Sequence, residues 1–191
     1  MVYDREYGSI IAYATAIAEE DRQCVSEVDE EEMQRFYGDV KAAKRVFAWA
    51  PGRCGSILRC FIMRLMHLGR TVHFVGDTTT PAIGEGDLLI IAASAGYNVG
   101  IASIAERARG FGAKVVMFSI LREGLCQSNS DYTVIVPGAT AALGGIGHSI
   151  QPGGGKYEES LLILLDTVIA LLNREEGGKL NGGIQLHANL E

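Results

Sequence analysis

Val46-Phe47-Ala48-Trp49-Ala50-Pro51-Gly52-Arg53-Cys54-Gly55-Ser56 passes from a continuous apolar run, through a turn, into a helical pattern that lasts to Leu68. Val46 to Ala50 reads as a strand buried on both faces, and Ser56 to Leu68 as the helix that follows it. The same texture recurs downstream. Thr71 to Val75, Leu88 to Ala92, Lys114 to Phe118 and Tyr132 to Val136 read as further strands, with a helix over Val99 to Phe111 and a long apolar one from Tyr157 to Asn173. Apolar strands alternating with helices predict an α/β fold, a three-layer αβα sandwich around a five-stranded parallel sheet. Upstream, Gly8 to about Glu20 and Asp29 to Gly38 read as two helices. The run Asp29-Glu30-Glu31-Glu32 reads as a solvated helix start, where carboxylates suit the dipole.

The 191 residues, 48% of them hydrophobic, fit a single domain over residues 1–173 followed by a tail over 174–191 that reads as mobile. A net charge of −6 and scattered basic residues exclude a nucleic-acid footprint. The polar start Met1 to Tyr7 carries no secretory or transit pattern, and the last helix is too short and too interrupted by Asp166 to span a membrane. A cytoplasmic protein is expected. Cys24, Cys54, Cys60 and Cys126 form no C-x-x-C pair, so reduced thiols are expected, with no zinc or redox motif.

Ligands of such sheets bind beyond the carboxyl ends of the strands. Two loops lie there. In the first, Gly52, Arg53, Cys54 and Gly55 combine close backbone approach, helix-start N–H groups and a permanent charge, all suited to an oxyanion. Ala50 and Pro51 break the dinucleotide fingerprint, so no nicotinamide or flavin cofactor is expected; an ordinary strand-to-helix turn is the plainer alternative. In the second, Ser94, Gly96, Tyr97 and Asn98 offer hydrogen bonds, with Tyr97 either covering a sugar ring or filling a surface groove.

Glu158 opens the last helix. Extending the stripe of Leu161, Leu162, Leu165, Val168, Ile169 and Leu172 backward lands on it, whereas Glu159 aligns with Asp166 on the polar side. An inward carboxylate is a candidate base; a first-turn glutamate that merely suits the helix dipole is the alternative.

Met63-Arg64-Leu65-Met66-His67-Leu68-Gly69, Val75-Gly76-Asp77-Thr78-Thr79-Thr80-Pro81-Ala82-Ile83-Gly84-Glu85-Gly86-Asp87-Leu88-Leu89-Ile90 and Ser149-Ile150-Gln151-Pro152 closely resemble the 6-phospho-3-hexuloisomerases of the sugar isomerase (SIS) domain family. The resemblance runs from about Val46 to Asn173. It implies a ketol isomerase without metal or redox cofactor, a small sugar substrate, and a homotetramer with sites shared between subunits. Glu158 falls on the position proposed as the family's catalytic base, and Arg53 and His67 fall on family positions. His148, beside the Gln151-Pro152 turn, is a candidate second acid, and Gln151 a candidate substrate contact.

Both loops depart from the family pattern. The first normally reads Gly-x-Gly-x-Ser-Gly and the second Ser-Gly-Ser-Gly-Glu-Thr, so Cys54, Ala93 and Ala95 replace hydroxyl positions and Asn98 a threonine. Each charged hydrogen bond contributes about 1.5–3 kcal/mol, so the loss of several predicts a changed substrate tail, sulfonate before carboxylate or hydroxymethyl. Cys54 at a helix start reads either as a nucleophile or, more simply, as a small polar replacement. Two further readings differ in class: a sugar-binding SIS module without catalysis, and a homologue that has lost its ligand.

Overall fold

Short polar side chains open the first two helices. The Ser9 hydroxyl accepts the Ala12 N–H at 3.1 Å before α1 (Ile10–Ser26), and the Asp29 carboxylate accepts the Glu32 N–H at 2.9 Å before α2 (Glu30–Ala42). Such caps satisfy N–H groups that a helix start leaves without internal acceptors. α1 runs on to Ser26, past its expected end. The acidic run does begin a helix, but it is not wholly solvated: Glu32 accepts from Arg122 Nη1 at 2.6 Å and from the Ile135 N–H at 2.8 Å.

Then follow β1 (Val46–Trp49), α3 (Gly52–His67), β2 (Val72–Phe74), β3 (Leu88–Ala92), α4 (Val99–Gly110), β4 (Lys114–Ser119), α5 (Leu125–Ser128), β5 (Tyr132–Ile135) and α6 (Gly155–Glu175). The computed structural model describes residues 8–141, 144–178, 180 and 186–190. The expected start of the chain, Met1 to Tyr7, and part of the expected tail lie outside them. All strand pairs are parallel, in the order β2-β1-β3-β4-β5. The three-layer αβα sandwich with its five-stranded sheet is therefore present, and the short α5 is an element that the apolar periodicity does not announce.

Within each strand, alternate residues serve opposite faces. Val46 and Ala48 of β1, and Leu88, Ile90 and Ala92 of β3, join the core beneath α2, α3 and α6. Phe47, Leu89 and Ile91 join the second core, beneath α4. The helix α3 starts at Gly52 rather than Ser56. A Cβ on Gly55 would fall 2.3 Å from the Ala50 carbonyl oxygen, so the strand can feed its helix this tightly only because residue 55 is glycine. α6 continues to Glu175, and Leu180, within the expected tail, packs half-buried against the first core while its N–H donates to Asn173 Oδ1 at 2.8 Å.

The chain leaves β1 for β2 on one side and for β3 on the other, so the sheet order reverses between β1 and β3. Such a reversal is where open α/β sheets form a ligand crevice, beyond the carboxyl ends of the strands. The 80–87 stretch lies at the opposite edge, leading into the start of β3. Asp87 is buried and takes Arg45 Nε at 2.9 Å and the Gly84 N–H at 2.8 Å. Burial alone would push its carboxyl up, but the Arg45 bond and the Gly84 N–H outweigh it and hold Asp87 below the usual range. The longest of the three motifs that carry the family resemblance thus ends in a structural turn. Asp87→Asn is expected to cost about 2–3 kcal/mol, because Arg45 loses its charged partner; urea unfolding followed by far-UV circular dichroism checks this, and an unchanged midpoint would refute it.

Candidate active site

Two helix starts meet at the crevice. No side chain caps α3, since Pro51 occupies the capping position. Its first-turn N–H groups therefore remain at the mouth of the crevice, where the positive end of the helix dipole favours an anion. Gly52 is exposed, with φ +58°, and Gly55 is buried beneath it. Arg53 reaches from this turn to α6, with Nη1 3.3 Å from Glu158 Oε2 and Nη2 donating to Glu159 Oε1 at 2.8 Å. The Cys54 sulfur lies 4.0 Å from Glu158 Oε1.

The Glu158 side chain is 17% exposed, half-sheltered at the edge of the apolar stripe rather than on its centre line. The centre passes through Tyr157, four residues before Leu161 and fully buried. Tyr157 donates its hydroxyl to the Phe118 carbonyl at 2.8 Å, and the same carbonyl accepts the Ala93 N–H at 3.1 Å. Gly138 allows this fit, because a Cβ there would lie 2.5 Å from Tyr157 Cα. Tyr157 thereby fixes the first turn of α6 against the sheet and aims its neighbour Glu158 toward Arg53.

The second loop is built differently from the first. Asn98 caps α4, its Oδ1 accepting the Ile101 N–H at 3.0 Å, so this oxygen serves the helix and the amide nitrogen is the group left to donate. Gly96 is buried, with φ +69°, and a Cβ there would fall 2.2 Å from the Gln127 amide; its glycine is required by packing. Gln127 in turn donates to Ser119 Oγ at 3.0 Å and to the Leu121 carbonyl at 2.9 Å. Ser94 Oγ donates to Thr140 Oγ1 at 3.0 Å, which brings in a residue that sequence reading passed over. Tyr97 stands 57% exposed at the rim.

Three further candidates stand in different surroundings. His67 is the last residue of α3, and fourteen residues at a rise of about 1.5 Å each put it roughly 21 Å along the helix from Arg53. Within one chain it does not share a site with Glu158. Its ring stacks on His187 at 5.3 Å, and burial, with the His187 and Arg64 charges, holds it below the ordinary histidine range. His148 is exposed on the loop before α6. Gln151 is buried and donates from Nε2 to Asp21 Oδ1 at 3.3 Å, so it holds the loop to α1.

Of the two readings of Cys54, its surroundings favour the small polar replacement over the nucleophile. Burial, with the neighbouring Glu158 charge, pushes its thiol up to about 12, which leaves it protonated at neutral pH. The arrangement as a whole can hold an oxyanion at Arg53 and the start of α3 while a sheltered carboxylate moves a proton beside it. Among the described residues no group of three or more His, Cys, Asp or Glu side chains converges to hold a metal ion.

No protein-family model matches the chain. A Mycobacterium gastri protein named 3-hexulose-6-phosphate isomerase is 34% identical over 92% of this chain and 88% of its own length. A Bacillus subtilis protein of the same name is 30% identical over 94% and 97%. The crystal structure of a Methanococcus jannaschii protein, inferred to be a 3-hexulose-6-phosphate isomerase, superposes with a TM-score of 0.79 at 27% identity, covering 94% of this chain and 99% of that one. The Vibrio vulnificus NanR protein, complexed with ManNAc-6P, shares the fold at 18% identity and a TM-score of 0.72, over 98% of this chain and 74% of its own. With that identity sustained over nearly its whole length, on a sheet whose crevice joins Arg53 to Glu158, the chain belongs to the 3-hexulose-6-phosphate isomerase family of SIS-domain sugar isomerases.

Proposed function

We propose that this protein interconverts 3-hexulose 6-phosphate and fructose 6-phosphate through an enediol, with Glu158 as the base. The family makes the chain a sugar-phosphate isomerase. The observation that carries the assignment of the base is the sheltered Glu158 carboxylate beside Arg53 and the uncapped start of α3. The open-chain ketose lies across the strand ends with its phosphate toward Arg53, the α3 N–H groups, Ser94 and the Asn98 amide. Glu158 takes the C2 proton and returns it to C3, while the C3 carbonyl oxygen becomes a hydroxyl and the C2 hydroxyl becomes the new carbonyl. Partial shelter from water strengthens each of these charged contacts.

The expected change of tail to sulfonate draws no support from the relatives, whose names specify a 6-phosphate. Cys54, Ala93 and Ala95 still lack the hydroxyls of the family pattern. Arg53 and the uncapped α3 start are the anion-binding elements that remain. No observation favours a binding module without catalysis over the enzyme.

A homotetramer with sites between subunits belongs to the same reading. His67 can serve a proton transfer at Glu158 only in a neighbouring copy's site, and Met63, Ile163 and Leu171 leave apolar surface exposed on α3 and α6. A cytoplasmic location suits four free cysteines.

Deuterium exchange followed by NMR, with fructose 6-phosphate and 6-deoxy-6-sulfofructose in parallel, is expected to label the phosphosugar; label in the sulfosugar alone would overturn the phosphate assignment. Glu158→Gln is expected to lower turnover by about a hundredfold or more while calorimetry still detects sugar binding. Retained turnover would remove Glu158 as the base.

A further inference from the structure

Asp21 is a carboxylate only 5% exposed, on the face of α1 that packs against α6. Its carboxyl lies close enough to that of Glu159 for the two to interact, and it accepts the Gln151 amide. One residue earlier, Glu20 takes Ser149 Oγ at 2.7 Å and the Ile150 N–H at 3.0 Å, and Tyr13 donates to the Ile150 carbonyl at 2.6 Å. α1 therefore grips three successive residues of the loop that enters α6, and through Asp21 it reaches the helix's first turn. Glu159 is also the nearer of the two carboxylates on Arg53, at 2.8 Å against 3.3 Å for Glu158.

We propose that Asp21 and Glu159 are positioning residues: their interaction sets whether Arg53, while it holds the substrate phosphate, leans on Glu159 or on Glu158, and so whether Glu158 is free to accept a proton from the sugar. This rests on the reading of Glu158 as base. Two carboxyl groups in contact cannot both ionise without mutual repulsion. While Asp21 keeps its proton it donates to Glu159, draws charge from that carboxylate and weakens its hold on Arg53, which then neutralises Glu158. Once Asp21 ionises, the added negative charge draws Arg53 toward Glu159 and releases Glu158.

Burial, followed by the hydrogen bond and charge of Glu159, pushes Asp21 up to about 6, with the Gln151 amide opposing and Glu20 adding to the shift. The other titratable neighbours are Cys24, on α1, and Lys156, on α6, which acts on Cys24. Between the ordinary aspartate value and about 6 the folded chain binds this proton more tightly than the unfolded chain does. Stability contributed by Asp21 therefore falls as pH rises through that window and stays lower above it, whereas turnover should rise through the upper end of the same window.

Asp21→Asn separates the two effects. Asparagine cannot ionise, yet it donates to Glu159 and accepts from Gln151 as the protonated acid does. Near neutrality the variant is expected to show a higher Tm but a kcat about tenfold lower, a coupling of ordinary size for side chains in contact. It should also lose the step in kcat near pH 6 that the parent shows on the same substrate, the substrate's own phosphate titration being common to both proteins. A merely structural Asp21 would move Tm alone, and an unchanged kcat and pH step would overturn the proposal. Glu159→Gln should lower kcat similarly. If the parent turns over no hexulose phosphate, the isomerase reading fails, and the Arg53 guanidinium 15N signals still judge the proposal. A shift through the Asp21 titration in the parent but not in Asp21→Asn supports it, and no shift in the parent overturns it.

Discussion

One backbone carbonyl ties together the part of the molecule that holds the candidate site. The oxygen of Phe118 accepts both the N–H of Ala93, where β3 ends, and the hydroxyl of Tyr157, in the first turn of α6. An acceptor with two lone pairs is saturated by this double use, at a depth where an unmet polar group is costly. Its geometry is unforgiving: Tyr157 must be buried fully, residue 138 must be glycine to let the helix backbone approach, and Glu158 must then emerge beside Arg53. The crevice inherits its precision from this joint.

The five strands were legible in the sequence because a parallel sheet covered on both faces writes itself as unbroken apolar runs, and all five are present. The ends of elements were less so. α3 begins at Gly52 because the conformation of Pro51 and the missing Cβ of Gly55 permit an early start, which periodicity alone does not register. Tyr157 misled the reading of the last helix: its polar label hid a ring that occupies the middle of the buried face and moves Glu158 to the margin.

Side-chain roles were legible where chemistry is local and illegible where it is distant. Arg53 and Glu158 stand next to helix starts, and the structure brings the two side chains expected there within 3.3 Å of each other. Gly96 and Gln151 looked like ligand contacts because they sit on the right loops. Their packing against Gln127 and their hold on Asp21 come from elements far away in sequence. Likewise Ala82 to Asp87, in the part of the chain that most clearly declares its family, folds against Arg45 where the chain enters β3.

The Gln127 amide lies between Gly96 and Gly124 and leaves no room for a side chain at either. It supports the second loop through the close fit of Gly96. A shorter residue at position 127 would let that loop sink, and a bulkier one would lift it, without altering any group that meets the sugar. Related proteins can therefore diverge in the shape of this wall while their loops read the same, and substrate preference inferred from loop letters alone will miss that route of drift.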